Sequence, residues 1–158
     1  LRELHNDDAH LHFVGTDGPP GYRKVVETIV THAGMREHVT FHGSVSQEEL
    51  VAHYSNADVF CCLSDHEGFC VPVIEAMHHG LPVVAFDCTA VGETVGDGGL
   101  LLTDKSPSIV ASALHRVATD SGLAQRLCNA GRRRANLFDR KVTRERFRQH
   151  LSMLLESL

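Results

Sequence analysis

Short apolar runs alternate with amphipathic stretches along most of the chain. Residues 10–14 (HLHFV) predict a strand, followed by a Gly/Pro-rich loop over 15–21. Residues 22–33 place Val25, Val26, Ile29, Val30 and Ala33 on one helical face, and Gly34 ends that helix. A second strand is predicted over 39–42. Ser46 with Glu49 three residues on has the form of a capping box, and the helix it opens runs to about 55 with Leu50, Val51 and Tyr54 inward. Residues 59–63 (VFCCL) are continuously apolar, as suits a strand buried on both faces of a parallel sheet. Pro72 sits where a helix over 72–79 begins, Gly80 stops it, and 82–86 (PVVAF) predict a fourth strand. Residues 92–99 read as loop and 100–102 as a short fifth strand. Beyond Pro107 the pattern is helical, over about 107–119, 121–137 and 141–156.

Strand, loop, helix and strand at this pitch indicate an α/β fold built on a parallel sheet with helices on both faces. Ligands of such sheets bind beyond the carboxyl ends of the strands. The loops 15–21, 43–46, 64–70 and 87–99 all fall on that edge.

Composition narrows the classes. With 42% hydrophobic and 22% charged residues the chain of 158 residues is globular in character, and no apolar run approaches the roughly 20 residues of a membrane-spanning helix. The net charge of −5 hides an asymmetry: residues 1–120 are strongly acidic, whereas 121–158 carry nine Lys/Arg against three Asp/Glu. Positive charge does not dominate the body, so no nucleic-acid partner is expected. Five cysteines without a C-x-x-C fit a reducing, cytoplasmic setting. Cys61 and Cys62 read as small buried hydrophobes.

The segment EGFCVPVIEAMHHGLPVV, residues 67–84, carries the most chemistry. A strand ends in a loop holding Glu67. The chain turns at Gly68 into a helix whose first turn exposes N–H groups around Phe69, Cys70 and Val71, a start that attracts phosphate. Glu75 lies one turn further on. Two carboxylates flanking an anion-binding helix start suit a ligand with both hydroxyls and phosphates, as a nucleotide sugar has. Taken alone, the pair also fits a plainer reading, in which both glutamates only favour the helix start electrostatically.

The string E-G-F-x-x-P-x-x-E-A-M followed by G-x-P-V-V resembles the E-x7-E motif of retaining GT-B glycosyltransferases of the family 4 type. Val14–Pro19 (VGTDGP), residues 39–45 (VTFHGSV), ADVF at 57–60 with Ser64, and 95–101 (VGDGGLL) are similar to further segments of that family, in the same order. The resemblance implies the C-terminal, Rossmann-like half of a GT-B fold ending in a helical arm, with residues 1–120 as the nucleotide-sugar-binding domain and 121–158 as its C-terminal helices. It implies that Glu67 contacts donor-sugar hydroxyls as the catalytic-site carboxylate. It assigns the sugar and diphosphate to Gly68, Phe69, Cys70 and Val71, the ribose to Glu75, and the nucleobase to main-chain groups of Gly43, Ser44 and Val45. It also implies a nucleoside diphosphate sugar as donor, with no cofactor and no metal, and activation by electrostatic stabilisation of the departing diphosphate. Cys70 departs from the glycine common at its position, and Val91-Gly92-Glu93 from the usual V-P-E, which leaves phosphate contacts over 89–92 in question.

The resemblance also implies an N-terminally truncated stretch. Residues 1–5 would end a helix whose Arg and Lys neutralise the diphosphate, and an acceptor domain would precede it. Strands 10–14 and 59–63 would then lack the strand that lies between them. An enzyme in its full length and a non-catalytic nucleotide-sugar-binding or interaction module both remain open, with a GT-B nucleotide-sugar epimerase disfavoured by the E-x7-E string. The basic tail has three readings: a solvated helical face, docking to the missing acceptor domain, or peripheral contact with an anionic membrane. Phe138, Phe147, Leu151 and Leu154 give it an apolar face. Twelve histidines show no usual zinc-ligand spacing, so His12 and His42 read as packed or edge residues, and only His66 lies on the functional loop. Gly15, Gly18 and Gly21 form a turn rather than a dinucleotide fingerprint.

Overall fold

The computed structural model describes residues 9–156. The reading of 1–5 as the end of a helix lies outside them. The chain divides into two compact units, Leu1–His53 and Tyr54–Leu158. Among the described residues the strands form two parallel sheets, one of two strands and one of three, rather than the single sheet that the alternation suggests. Apolar alternation sets where strands occur but does not name their neighbours.

In the first unit, β1 (Leu11–Val14) is followed by α1 (Tyr22–His32), a single 3₁₀ turn (Arg36–His38), β2 (Val39–Gly43) and most of α2 (Gln47–Asn56). β1 and β2 pair in parallel, with His12 opposite Thr40 and Phe13 opposite Phe41. Side chains alternate across a strand, so Phe13 and Phe41 share one face, where their rings stack at 5.0 Å. His12 and His42 share the other. The predicted capping box of α2 is formed: Ser46 Oγ accepts from the Glu49 N–H at 3.2 Å, and the Glu49 carboxylate accepts from the Ser46 N–H at 2.8 Å. None of residues 9–53 is buried. Two strands are too narrow to cover the apolar stripe of α1, and Val25 and Ile29 are exposed.

The second unit holds β3 (Phe60–Cys62), α3 (Val71–His78), β4 (Val83–Phe86), α4 (Val91–Val95), β5 (Leu100–Leu102), α5 (Pro107–Thr119), α6 (Ser121–Asn136) and α7 (Arg140–Glu156). The sheet order is β3-β4-β5, all parallel. The strand expected to be buried on both faces is therefore not 59–63. β3 is an edge of this sheet and is half-buried, with Leu63 beyond it 37% exposed. The central position belongs to β4, where Val83, Val84 and Ala85 are fully enclosed. Val84, Leu102, Val110 and Val117 form a core cluster that joins this sheet to α5. α3 packs on α6, where Met77 is fully buried. The approach is close at Gly131: a Cβ there would lie 3.1 Å from Met77 Cγ and 3.1 Å from the Gly98 carbonyl.

Residues 92–99, read as loop, contain a helix. Val91, Thr94 and Val95 face inward at helical spacing and are buried, a short stripe that the surrounding glycines disguise. α7 forms as expected, but none of its residues is buried and Phe147, Leu151 and Leu154 remain exposed.

Candidate functional site

The carboxyl ends of β3, β4 and β5 carry the chemistry of the second unit. The loop after β3 delivers Glu67, which is half-buried. Its main chain is held by Thr89 from the loop after β4: the Glu67 N–H donates to Thr89 Oγ1 at 3.0 Å, and the same hydroxyl donates to the Glu67 carbonyl at 2.8 Å. Thr89 adopts φ 41°, a left-handed conformation that a β-branched residue rarely takes. Both hydrogen bonds depend on that turn. This contact between two loops was not visible in the sequence, because the partners are 22 positions apart.

The chain then reaches Cys70 at φ 63° and ψ 64°, where α3 begins with no side-chain cap. The left-handed conformation explains why glycine suits this position. Pro72 opens the first turn and has no N–H to leave unpaired. Gly68 and Phe69 are exposed, and so is Val71. Phe69 packs edge-to-face against Phe138, with ring centroids 5.2 Å apart, and Arg134 lies over the Phe138 ring at 5.0 Å. Arg134 also donates from Nε to the Thr94 carbonyl at 3.0 Å and bonds the Glu93 carbonyl, so a basic residue caps the C-terminal end of α4. Part of the basic tail is thus fastened to the loops of this edge, which none of the three sequence readings anticipated.

Glu75 accepts a hydrogen bond from the Tyr54 hydroxyl at 3.0 Å. Burial, and then the neighbouring Glu75 carboxylate, hold the Tyr54 phenol well above its ordinary range, so it remains a donor at neutral pH. Its ring stacks on His79 at 5.5 Å. The hydroxyl fixes one oxygen of the glutamate. Helical spacing alone marks Tyr54 only as an inward-facing position.

The thiols at this edge are quiet. Cys62 Sγ lies 3.6 Å from Cys70 Sγ, and all five cysteines are free. Burial and the Cys62 contact push the Cys70 thiol up to about 12, and burial pushes Cys61 up to about 11. Both stay protonated at neutral pH and are poor nucleophiles. Cys62 is buried as expected, whereas Cys61 is only half-buried. Lys105, from the loop after β5, pairs with Asp65 and lies 5.0 Å over the Phe86 ring, adding a cation that no motif signalled.

In the first unit, β2 ends at Gly43, which takes φ 68° and turns the chain towards the N-cap of α2. The Gly43 carbonyl accepts from the Gly15 N–H at 2.9 Å, tying this turn to the loop after β1. Ser44 is exposed and Val45 half-buried. On the imidazole face of the sheet, His12 Nδ1 and His42 Nε2 are 2.9 Å apart, with His53 beside them. Burial and the mutual proximity of the rings lower the basicity of His12 and His42.

Comparison with known proteins agrees with this architecture. Residues 1–134 match the family described as Glycosyl transferases group 1. A GDP-mannose-dependent alpha-(1-6)-phosphatidylinositol monomannoside mannosyltransferase of Mycobacterium tuberculosis is 35% identical over 135 residues, covering 80% of this chain and 34% of the relative. The sucrose-phosphate synthase of Thermosynechococcus elongatus superposes with a TM-score of 0.78 at 29% identity, over 94% of this chain and 39% of that one. The C-terminal domain of LpcC, a glycosyl transferase group 1 protein of Francisella tularensis, superposes with a TM-score of 0.67 at 21% identity, over 85% of this chain and 90% of that domain. The chain spans about a third of the length of the curated relatives it matches. With the family matched over most of its residues and the fold that of GT-B neighbours, the chain belongs to the group 1 glycosyl transferases.

Proposed function

We propose that this chain is the donor-binding part of a retaining glycosyltransferase that moves a sugar from a nucleoside diphosphate sugar to a hydroxyl acceptor. The observation that carries the reading is the arrangement of two glutamates about one uncapped helix start at the carboxyl edge of β3. Glu67 is held through its main chain by Thr89, and Glu75 through its carboxylate by Tyr54. The dependence of the mycobacterial relative on GDP-mannose supports a nucleotide-sugar donor.

In this reading Glu75 accepts from the ribose hydroxyls and the main chain of Gly68–Val71 meets the diphosphate and sugar. Glu67 binds the sugar hydroxyls as the catalytic-site carboxylate. The base is assigned, as the family resemblance implies, to main-chain groups of Gly43, Ser44 and Val45. Transfer breaks the bond between the anomeric carbon and the β-phosphate oxygen, and the electron pair leaves with the diphosphate. The acceptor oxygen bonds the same carbon, and its proton passes to the departing phosphate. Uncapped N–H groups and the dipole of α3 stabilise the charge that develops on that phosphate. No metal takes part in binding the donor. The acceptor domain lies in the rest of the full-length enzyme, and a cytoplasmic setting fits the free thiols.

Calorimetric titration of the chain with UDP and GDP tests the reading. One equivalent of nucleoside diphosphate is expected to bind with equal affinity in EDTA and in Mg²⁺ or Mn²⁺. A strict requirement for either ion would refute the metal-free donor site. Binding by a full-length enzyme that gives no transfer to any hydroxyl acceptor would favour a non-catalytic module.

A further inference from the structure

The first unit has an unusual distribution of chemistry. It holds seven of the twelve histidines and none of the five cysteines. It also has no buried residue among 9–53. Imidazoles are gathered on one face of its sheet.

The gathering follows from the register. His12 and His42 lie on the same face of the β1-β2 pair, and α2 brings His53 against them. His12 Nδ1 and His42 Nε2 stand 2.9 Å apart, and one ring nitrogen from each of the three residues lies within 4.8 Å of the others. Around one zinc ion at about 2.0–2.1 Å per nitrogen, tetrahedral ligands stand roughly 3.3 Å from one another. His12 and His42 need to open by a few tenths of an ångström, and His53, within 4.8 Å, needs to close by at most about 1.5 Å to reach that separation. Other titratable groups are near. His10 is engaged with Thr40 Oγ1 at 2.8 Å, and Glu49 is committed to the cap of α2. Neither competes for the trio.

We propose that His12, His42 and His53 form a three-imidazole site for a divalent transition metal, zinc in the first instance, with water completing four ligands. The ion would tie β1, β2 and α2 together. Imidazole suits zinc, nickel and copper, whereas magnesium and manganese favour oxygen. The site is therefore independent of any metal question at the donor edge, and its failure would leave the proposed donor chemistry standing. The ligands come from positions 12, 42 and 53, so no sequence spacing announces them.

Cobalt(II) titration of the 158-residue chain tests this. One equivalent is expected to bind with the visible bands of a four-coordinate nitrogen and oxygen set. Zinc is expected to displace it and to raise the melting temperature, and EDTA to reverse the rise. His42→Ala and His53→Ala should each weaken cobalt binding at least tenfold. His53→Gln, which keeps a good helix former on α2, should do the same with an unchanged circular dichroism spectrum. Cys62→Ser, which removes half of the thiol pair near Glu67, should leave binding as it is. Equal affinity in His53→Gln, or a thiolate charge-transfer band that disappears in Cys62→Ser, would overturn the proposal.

Discussion

Replacing Tyr54 by phenylalanine removes one oxygen and nothing else. The ring keeps its stack on His79 at 5.5 Å and its tilt against Phe60 at 6.1 Å, so no cavity opens. What is lost is the 3.0 Å bond from the hydroxyl to Glu75, together with a longer 3.5 Å contact to the Pro72 carbonyl. Hydrogen bonds to charged groups contribute about 1.5–3 kcal/mol. Glu75 is only half-buried, so water replaces part of that bond. The expected loss of stability is about 1–2 kcal/mol. The freed carboxylate must then be re-ordered by ligand, which should weaken nucleotide binding about threefold to tenfold. Urea melts followed by far-ultraviolet circular dichroism measure the first effect, with coincident probes checking that the transition is cooperative. A double-mutant cycle with Glu75→Ala isolates the pair and should return at least about 1 kcal/mol of coupling. An unchanged midpoint with no coupling would show that the pair does not form in solution and that Glu75 is not positioned by Tyr54.

Met77→Ala should cost about 2–5 kcal/mol in the same urea melts, because Met77 is fully buried where α3 meets α6 and its loss leaves a cavity. Glu49→Gln should flatten the acid limb of stability. The Ser46 N–H, and then the Ser46 hydroxyl, hold the Glu49 carboxyl below its ordinary 4.5, so in the native chain the unfolded state binds more protons. That contribution is present above about 4.5 and is lost as pH falls through the folded value. Urea midpoints measured from pH 6 down to pH 3 should therefore converge for the two forms at the acid end.

Much of the fold was legible because each element announces itself locally. PVVAF marks a strand by continuous apolarity, and Ser46 with Glu49 marks a helix start by a capping-box pattern that forms as reciprocal hydrogen bonds. Residues 59–63 are less buried than their apolarity predicts, because apolarity does not say which strand is central and the order β3-β4-β5 places β3 at an edge among the described residues. The helix at Val91–Val95 was hidden by Gly92 and Gly96, although its buried positions keep helical spacing. At the functional edge, Glu67 and Glu75 stand in a string that reads clearly. Their supports do not: Thr89 is 22 positions from Glu67, and Tyr54 is 21 from Glu75. Arg134 and Phe138 reach the edge from α6 and the turn after it, and composition records them only as part of a basic tail with apolar positions. Long-range partners of this kind are set by packing, which no local pattern encodes.

The claim on which the functional reading rests is that Glu75 binds the ribose of a nucleoside diphosphate. Isothermal titration of UDP and GDP into the native chain and Glu75→Ala tests it most directly, at a temperature where both are folded, since the variant also loses its bond from Tyr54. The account predicts that the variant binds more weakly by roughly 1.5–3 kcal/mol, about ten- to hundredfold in Kd. Equal affinity for the two forms would contradict it.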